Sequence, residues 1–369
     1  MAYESLVLLY RKDAARWAAE HQQRRNSPMT RHLPIALQEY GRAQSYPAFY
    51  CYTEELALLQ EAIGRDFTTL LGMIGHIPKA GIEQFLHTCM RMRLGGVVNK
   101  YARILQGEEI PLDTAADVRA LFDSFIADEI RRDDPANLPD GQLFRKGSVD
   151  IVSPSQKVIH RGSYPEKKIM HEMGYALALL HEESMPLLFR IAVFHYLFGY
   201  IHPFYDGNGR MSRFITTYFL ARELHPTVAF QLSLLIKKRR KGYYKLFADT
   251  TSEFNRGDLT PFIIGTLRFI YEAVRFTGDA LDDRLRRYRA YHGRVMNAVH
   301  DKKLRNVYDI LLQAAVFSDV GATVAEIAEA LDQTETTVYA KLKSIPEEHM
   351  IQHRSSRPYH CMLCLDAFA

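Results

Sequence analysis

Apolar residues recur every three to four positions along most of the chain, and this spacing predicts a mainly α-helical protein. Helices are predicted over residues 4–24, 53–64, 113–132 and 259–276, and from 166 to about 224. Asp258 directly precedes one of these segments and is expected to cap its first turn. Residues 187–201 are apolar on nearly every face, so this segment is expected at the centre of a core.

One segment interrupts the helical pattern. Between residues 148 and 165, Val149 and Ile151 alternate with polar neighbours, a turn is expected at 153–156, and the alternation resumes at Val158. Alternation with a period of two is typical of β-strands with one buried face. The segment is therefore predicted to form a β-hairpin.

The C-terminal part has a different order of elements. Helices are predicted over 305–317, 323–331 and 336–345, followed by β-prone runs around 354–358. This order resembles a winged helix-turn-helix domain. The predicted organisation is an N-terminal helical region (1–95), a helical core with the hairpin (96–278), a connector (279–301) and the winged helix (302–369).

Composition narrows the class of protein. With 47% hydrophobic and 24% charged residues, the 369-residue chain has the balance of a globular protein. A net charge of +4 is too small to indicate nucleic-acid or membrane binding by itself. Four scattered cysteines do not form a disulfide scaffold, and a cytoplasmic location is expected. The longest apolar stretch contains Arg190, His195 and His202, so no membrane span is expected.

The stretch HPFYDGNGRMSR, residues 202–213, carries the candidate chemistry. His202 follows the apolar helix and is a candidate base. Asp206 offers the oxygen ligand that Mg²⁺ prefers, and Mg²⁺ commonly bridges nucleotide phosphates.

The second half of this stretch has the features of a phosphate site. Gly207, Asn208 and Gly209 allow unusual backbone angles and present N–H groups to an anion. A helix is expected to begin at about Gly209, and its N-terminus favours anions. Arg210 and Arg213 share one face of that helix and suit phosphate oxygens. Together these groups are the parts that phosphoryl or nucleotidyl transfer requires.

The stretch matches the Fic family signature H-x-F-x-[DE]-G-N-G-R-x-x-R at every specified position. The resemblance extends over about residues 118–270 and includes the hairpin, and a winged helix is a common companion in bacterial Fic proteins. It implies a protein adenylyltransferase that transfers AMP from Mg²⁺-bound ATP to a Ser, Thr or Tyr hydroxyl of a target protein or of itself.

The resemblance also implies roles for individual residues. His202 resembles the general base, Asp206 the Mg²⁺ ligand, and Arg210 a catalytic phosphate-binding arginine. The ATP-binding residues it implies are Gly207, Asn208, Gly209, Arg210, Arg213, Tyr244 and Asn255. The hairpin resembles a flap that docks the target, through Val149, Ile151, Val158 and His160.

Other functions stay open at this point. Doc-type members, which transfer phosphate, have Lys where this chain has Gly209, so AMP transfer is favoured over phosphate transfer. The glycines and arginines of the motif would constrain the phosphates of a nucleotide but not its base. Use of a nucleotide other than ATP as the donor therefore stays open. A nucleotide- and DNA-binding regulator is the alternative from another class. Residues 301–369 contain seven Lys/Arg and ten Asp/Glu, so DNA, a protein partner and a homodimer all remain open for the winged helix.

A regulatory motif of the family is missing. Many Fic proteins carry [ST]-x-x-x-E-[GN], whose Glu pairs with the second motif arginine, here Arg213. No Glu in this chain is followed by Gly or Asn, and residues 81–93 stand where the motif would be expected. Weak self-inhibition is therefore predicted.

Overall fold

The computed structural model describes residues 3–94, 107–152, 155–353 and 358–369. The described chain is mainly α-helical, as predicted, and contains small antiparallel sheets. It divides into two compact units. Residues 1–64 and 100–272 form the first unit, and residues 65–99 and 273–369 form the second. None of the described helices combines the length and the apolar character needed to cross a membrane.

Most of the helices belong to the first unit. They are α1 (Leu6–Lys12), α2 (Ala14–Asn26), the start of α3 (Glu54–Ile74), α5 (Ala115–Phe125), α6 (Ala127–Asp133), α7 (Glu166–Leu180), α8 (Leu187–Ile201), α9 (Asn208–Glu223), α10 (Pro226–Lys238), α11 (Arg240–Thr251) and the start of α12 (Thr260–Ala298). Thr114 caps α5 with a reciprocal capping box. Asp258 Oδ1 accepts from Thr260 N at 2.9 Å, as expected of a cap for α12.

Helix α8 is the centre of this unit's core, as its apolar sequence predicted. It packs against α7 and α9, and nearly all of its side chains are buried. Large aromatic side chains fill the space around it, and burial of each contributes about 1.5–3 kcal/mol. The fully buried phenylalanines of the unit are Phe49, Phe122, Phe144, Phe189, Phe194, Phe198, Phe204, Phe214, Phe230 and Phe262.

The N-terminal region contains a β-hairpin that the helical prediction for residues 1–95 missed. Strand β1 (Thr30–Gln38) pairs antiparallel with β2 (Ser45–Cys51). Alternate residues of β1 (Leu33, Ile35 and Leu37) are buried, which is the period of a strand with one covered face. The predicted helix over 4–24 is also divided, because Asp13 ends α1 and caps α2.

The predicted flap hairpin is confirmed. Strand β3 (Asp150–Val152) pairs antiparallel with β4 (Val158–Arg161), and Ile151 lies opposite His160. Part of the expected turn at 153–156 lies outside the described residues.

The second unit contains α4 (Lys79–Leu94), α13 (Arg305–Phe317), β5 (Ala322–Thr323), α14 (Val324–Leu331), α15 (Glu335–Lys343), β6 (Met350–His353) and β7 (His360–Leu363). The strands form one sheet in the order β5-β7-β6. Helix α4 packs against α13, where a Cβ on Gly81 would lie 3.0 Å from the Phe317 ring. Residues 279–298, expected as part of a connector, continue α12 instead, because Leu281 and Leu285 extend its buried stripe.

Candidate active site

A short loop joins the C-terminus of α8 to the N-terminus of α9, and a buried phenylalanine anchors it. The Phe204 ring is fully buried and stacks on Phe122 at 4.0 Å between centroids. The side chain of Asn208 closes the loop on itself: Phe204 N donates to Asn208 Oδ1 at 2.9 Å, and Asn208 Nδ2 donates to Phe204 O at 2.7 Å. The amide side chain of Asn208 therefore shapes the loop, and any contact of this residue with an anion falls to its backbone N–H.

His202 ends α8 in a left-handed conformation, with φ of 53°. Its Nδ1 lies 3.3 Å from Gly199 O, and a carbonyl only accepts, so Nδ1 carries the proton and Nε2 is the acceptor. Burial lowers the pKa of His202 to about 4, with smaller contributions in the same direction from His160 and Arg145. The Gly199 hydrogen bond and Asp206 oppose this shift. His202 is thus a neutral imidazole at neutral pH, the form a general base requires.

The N-terminus of α9 is open. Gly207 is its N-cap with φ of 86°, and no side chain caps this helix end. Met211 N makes the first helical hydrogen bond, to Gly207 O at 2.9 Å, so the preceding N–H groups have no partner within the helix. A Cβ on Gly207 would lie 3.3 Å from the Ile126 side chain, which together with the positive φ explains the glycine. An open helix N-terminus of this kind binds anions.

Arg210 is held between two carboxylates. Its Nη1 donates to Glu129 Oε1 at 2.6 Å, and its Nη2 donates to Asp206 Oδ2 at 2.8 Å. Asp206 Oδ1 accepts from Gly207 N at 2.5 Å, so this carboxylate also contacts the start of α9. Glu129 was not predicted as a site residue, because nothing in the sequence of its helix distinguishes it from the other acidic residues there.

Arg213 folds back over the same helix end. A Cβ on Gly209 would lie 3.1 Å from Arg213 Nη1, so the guanidinium lies over the first turn of α9. Within the described ranges, no carboxylate forms an ion pair with Arg213. Arg210 and Arg213 thus lie at the open helix end, one paired with acids and the other not.

The residues at this helix end fit a magnesium ion. Mg²⁺ is usually held by one or two carboxylates together with substrate phosphates. The Asp206 side chain is 51% exposed and lies beside the helix N-terminus, so it suits that arrangement. The described part of the chain contains no group of three or more His, Cys, Asp or Glu side chains that would hold a metal without a substrate.

The two residues predicted to contact the nucleoside lie in different surroundings. Tyr244 is 50% exposed and lies under Arg240, with 5.3 Å from Cζ to the ring centroid. Asn255 is buried, and its Nδ2 donates to Thr250 O at 3.0 Å and Asp258 O at 2.6 Å. The structure thus gives Asn255 an internal role in the fold, and nucleoside contact for both residues stays a prediction.

Tyr243, which was not among the predicted nucleotide-binding residues, joins α11 to α8 and α9 through His195. Its hydroxyl is 2.5 Å from His195 Nε2, while His195 Nδ1 contacts Thr216 Oγ1 and Ser212 Oγ at 2.8 and 2.9 Å. Burial raises the pKa of Tyr243, and the charge of Arg213 acts in the opposite direction. Of the two adjacent tyrosines, Tyr243 therefore joins the helices and Tyr244 is exposed.

The flap presents two different faces. The predicted docking residues, which are half-buried, are Val149, Ile151, Val158 and His160. His160 Nε2 donates to Tyr200 O at 2.6 Å and so fastens this face to α8. Val152 and Ile159 point outward and are 45% and 55% exposed. The apolar side chains available to a partner therefore include two that were not predicted.

Part of the chain is similar in sequence to proteins of a known family. Residues 114–220 match the Fic/DOC family. The chain is 35% identical over 99 residues to the protein adenylyltransferase Fic of Drosophila ananassae, covering 27% of this chain and 17% of that protein. It is 39% identical over 88 residues to the protein of the same name from Aedes aegypti, covering 24% of this chain and 15% of that protein.

Among solved structures, the chain is similar to a Fic family protein from Desulfovibrio desulfuricans G20. The TM-score is 0.47 at 19% identity, over 85% of this chain and 97% of that one. The chain spans about a sixth of the length of the two curated relatives described above. The matched range, 114–220, runs from the cap of α5 into α9 and includes the flap, His202 and both arginines. These residues therefore form a Fic/DOC family domain.

Proposed function

We propose that this protein is an adenylyltransferase that transfers AMP from ATP to a hydroxyl of a target protein or of itself. The observation that carries the proposal is the placement of a neutral histidine and an open helix N-terminus with two arginines on one short loop. The Fic/DOC match over residues 114–220 and the names of the curated relatives support the same reaction.

In the proposed reaction, His202 Nε2 accepts the proton of the target hydroxyl. The hydroxyl oxygen forms a bond to the α-phosphorus of ATP while the bond between that phosphorus and the β-phosphate bridging oxygen breaks, and pyrophosphate leaves. The N–H groups that begin α9, with Arg210 and Arg213, stabilise the negative charge on the phosphates. Asp206 would hold Mg²⁺, which neutralises phosphate charge when bound.

Target docking along the flap is part of the proposal. A two-stranded hairpin leaves an outer edge on each strand, and such an edge accepts an extended peptide by backbone hydrogen bonds. A segment added there would lie near His202, because His160 on β4 donates to Tyr200, two residues before the base.

The reaction is tested with ATP labelled separately at the α- and γ-phosphates. We expect protein-bound label from α-labelled ATP only, and loss of labelling in His202→Ala. His171→Ala is the matched control, because His171 is exposed on α7 and should behave as wild type. Label from γ-labelled ATP would establish phosphate transfer instead, and binding of ATP without any label would favour a regulatory nucleotide-binding protein.

We further propose that residues 302–369 form a winged helix-turn-helix domain. The order of α13, β5, α14, α15, β6 and β7, with β7 between β5 and β6, supports this. Its excess of acidic residues favours a protein partner, including a second copy, over DNA. Sedimentation of the full chain with and without duplex DNA tests whether the partner is a protein or DNA. Salt-sensitive DNA binding would contradict the protein-partner role.

A further inference from the structure

Arg145 is the largest fully buried side chain in the described ranges, and all of its hydrogen bonds are to backbone carbonyls. Its Nε donates to His202 O at 2.9 Å, its Nη1 to Gly147 O at 2.6 Å, and its Nη2 to Ser163 O at 2.8 Å. No carboxylate in the described part of the chain forms an ion pair with it. Burying a cation without a carboxylate partner costs free energy, and the hydrogen bonds to the backbone carbonyls must offset that cost.

The carbonyl groups that surround Arg145 come from two directions. His202 O, with Ile201 O at 3.5 Å, belongs to the C-terminal end of α8, where the helix dipole favours a cation. Gly147 O and Ser163 O lie on the two sides of the flap hairpin, just before and just after it. One guanidinium therefore joins the two ends of the flap to the residue proposed as the base. The planar fork of arginine makes this possible, because its donors point in fixed and different directions.

The surrounding backbone is fitted closely to this side chain. A Cβ on Gly162 would lie 2.5 Å from Arg145 Nη2 and 2.9 Å from the Cβ of His202, so the flap leaves no room there for a side chain. Ser163 N donates to Ile201 O at 2.9 Å, and Arg145 N donates to Pro203 O at 3.3 Å. The flap and the end of α8 are thus connected through Arg145 and its immediate neighbours.

We infer that Arg145 is a positioning residue that fixes the flap against His202, so that a hydroxyl presented along the flap reaches the base. This inference rests on the proposed AMP transfer. Arg145 acts through the backbone of His202 and of the flap, and it has no role in holding the nucleotide at the start of α9.

The test compares Arg145→Lys with wild type. Lys keeps the charge, but its single ammonium group cannot donate to carbonyls on both sides, so the flap and His202 separate. Because a misplacement of about 1 Å can cost about 100-fold in rate, we expect a loss of that order in transfer to the target. ATP affinity should change less than about twofold, since its subsite lies at the other helix end.

Hydrogen exchange gives a readout that does not depend on activity. Gly162 N donates to Val149 O at 3.0 Å, and Ser163 N to Ile201 O. Both amides should exchange faster in Arg145→Lys, while amides in the middle of α9 should not change. Arg190→Lys is the matched control, because Arg190, on α8, likewise donates to a backbone carbonyl, from Nη1 to Leu180 O at 2.7 Å, away from the flap.

If Arg145→Lys fails to fold, Gly162→Ala tests the same junction from the flap side and should show the same exchange and the same loss of transfer. Unchanged exchange at residues 162 and 163, or a loss of transfer no larger than in Arg190→Lys, would overturn the inference. A wild-type protein that transfers no AMP would overturn the proposed function alone, because the exchange result still decides whether Arg145 holds the flap to His202.

Discussion

The loop between α8 and α9 connects two helix ends that differ in whether their backbone groups have hydrogen-bond partners. The C-terminus of α8 is closed: the carbonyls of residues 201 and 202 accept hydrogen bonds from Arg145 and Ser163. The N-terminus of α9 is open, with Gly207 as its cap and no capping side chain. Backbone groups at a buried helix end require partners. An end left without an internal partner is therefore suited to a ligand.

The two ends also differ in charge. At the closed end, a buried cation lies against the negative end of a helix dipole and a neutral histidine. At the open end, Arg210 is paired with Glu129 and Asp206, while Arg213 forms no ion pair within the described ranges. With the positive end of the helix dipole beside it, this end suits an anion. We interpret the closed end as the part that orients the base and the flap, and the open end as the part that binds phosphates.

The largest effect is expected from Phe204→Ala, which removes the anchor shared by both ends. Deleting a buried phenylalanine costs about 3–5 kcal/mol, and here it also removes the stack on Phe122. The free energy of unfolding, measured by urea denaturation, should fall by this amount. Phe276→Ala is the control, since Phe276 is 51% exposed. Equal effects of the two substitutions would show that the loop is not anchored in the core.

A smaller effect, confined to the open end, is expected from Gly207→Ala. A left-handed conformation costs a non-glycine residue roughly 1–2 kcal/mol, and the new Cβ would press on Ile126. We expect ATP affinity to fall about tenfold, which corresponds to roughly 1.4 kcal/mol, with calorimetry as the measurement. Gly174→Ala, in the middle of α7 with open space around it, is the matched control and should leave affinity unchanged.

Glu129→Gln is expected to strengthen nucleotide binding. Glu129 competes with phosphate oxygens for Arg210, and a charge at this distance in water is worth about 1 kcal/mol, or about fivefold in affinity. Asp128→Asn is the control. This substitution removes the same charge from the same helix, but Asp128 pairs with Arg131 and not with Arg210. Weaker ATP binding in Glu129→Gln than in Asp128→Asn would mean that Glu129 supports the arginine rather than competing with phosphate.

A separate effect, on stability rather than on binding, concerns pH. Burial lowers the pKa of His195 and of His202 to about 4, below the value of about 6.5 of an unfolded chain. Between these values the unfolded state binds more protons, so stability should be full above about pH 6.5 and fall as the pH decreases toward 4. Thermal unfolding from pH 7 to 5 measures this slope. His195→Gln should reduce the slope and His171→Gln should not; equal slopes in all three proteins would contradict the assignment.

The sequence predicted the helices that carry regular apolar stripes and the elements that follow directly from them. Helix α8, the flap hairpin and the position of His202 at a helix end were all expected. The hairpin β1–β2 was missed because no element was assigned to residues 25–52 within the predicted helical region. Pro34 and Ala36 separate the buried Leu33, Ile35 and Leu37, so the sequence there shows no alternation of apolar and polar residues.

The site was predicted less completely than the fold. The motif residues come together at one loop, but Glu129 and Arg145 reach it from 81 and 57 residues away along the chain. Nothing in their local sequence marks either residue, because their role depends on tertiary contacts. Asn255 was predicted to bind the nucleotide; its donor group is occupied inside the fold, and a contact with the nucleoside stays a prediction.

The most direct test of the account is the ATP affinity of His202→Ala, measured by calorimetry beside its rate of AMP transfer. We predict an affinity within about twofold of wild type and a transfer rate lower by about 100-fold or more, because the base belongs to the closed helix end and the phosphates to the open one. Loss of ATP binding in His202→Ala, or retained transfer, would contradict the division of the loop into these two parts.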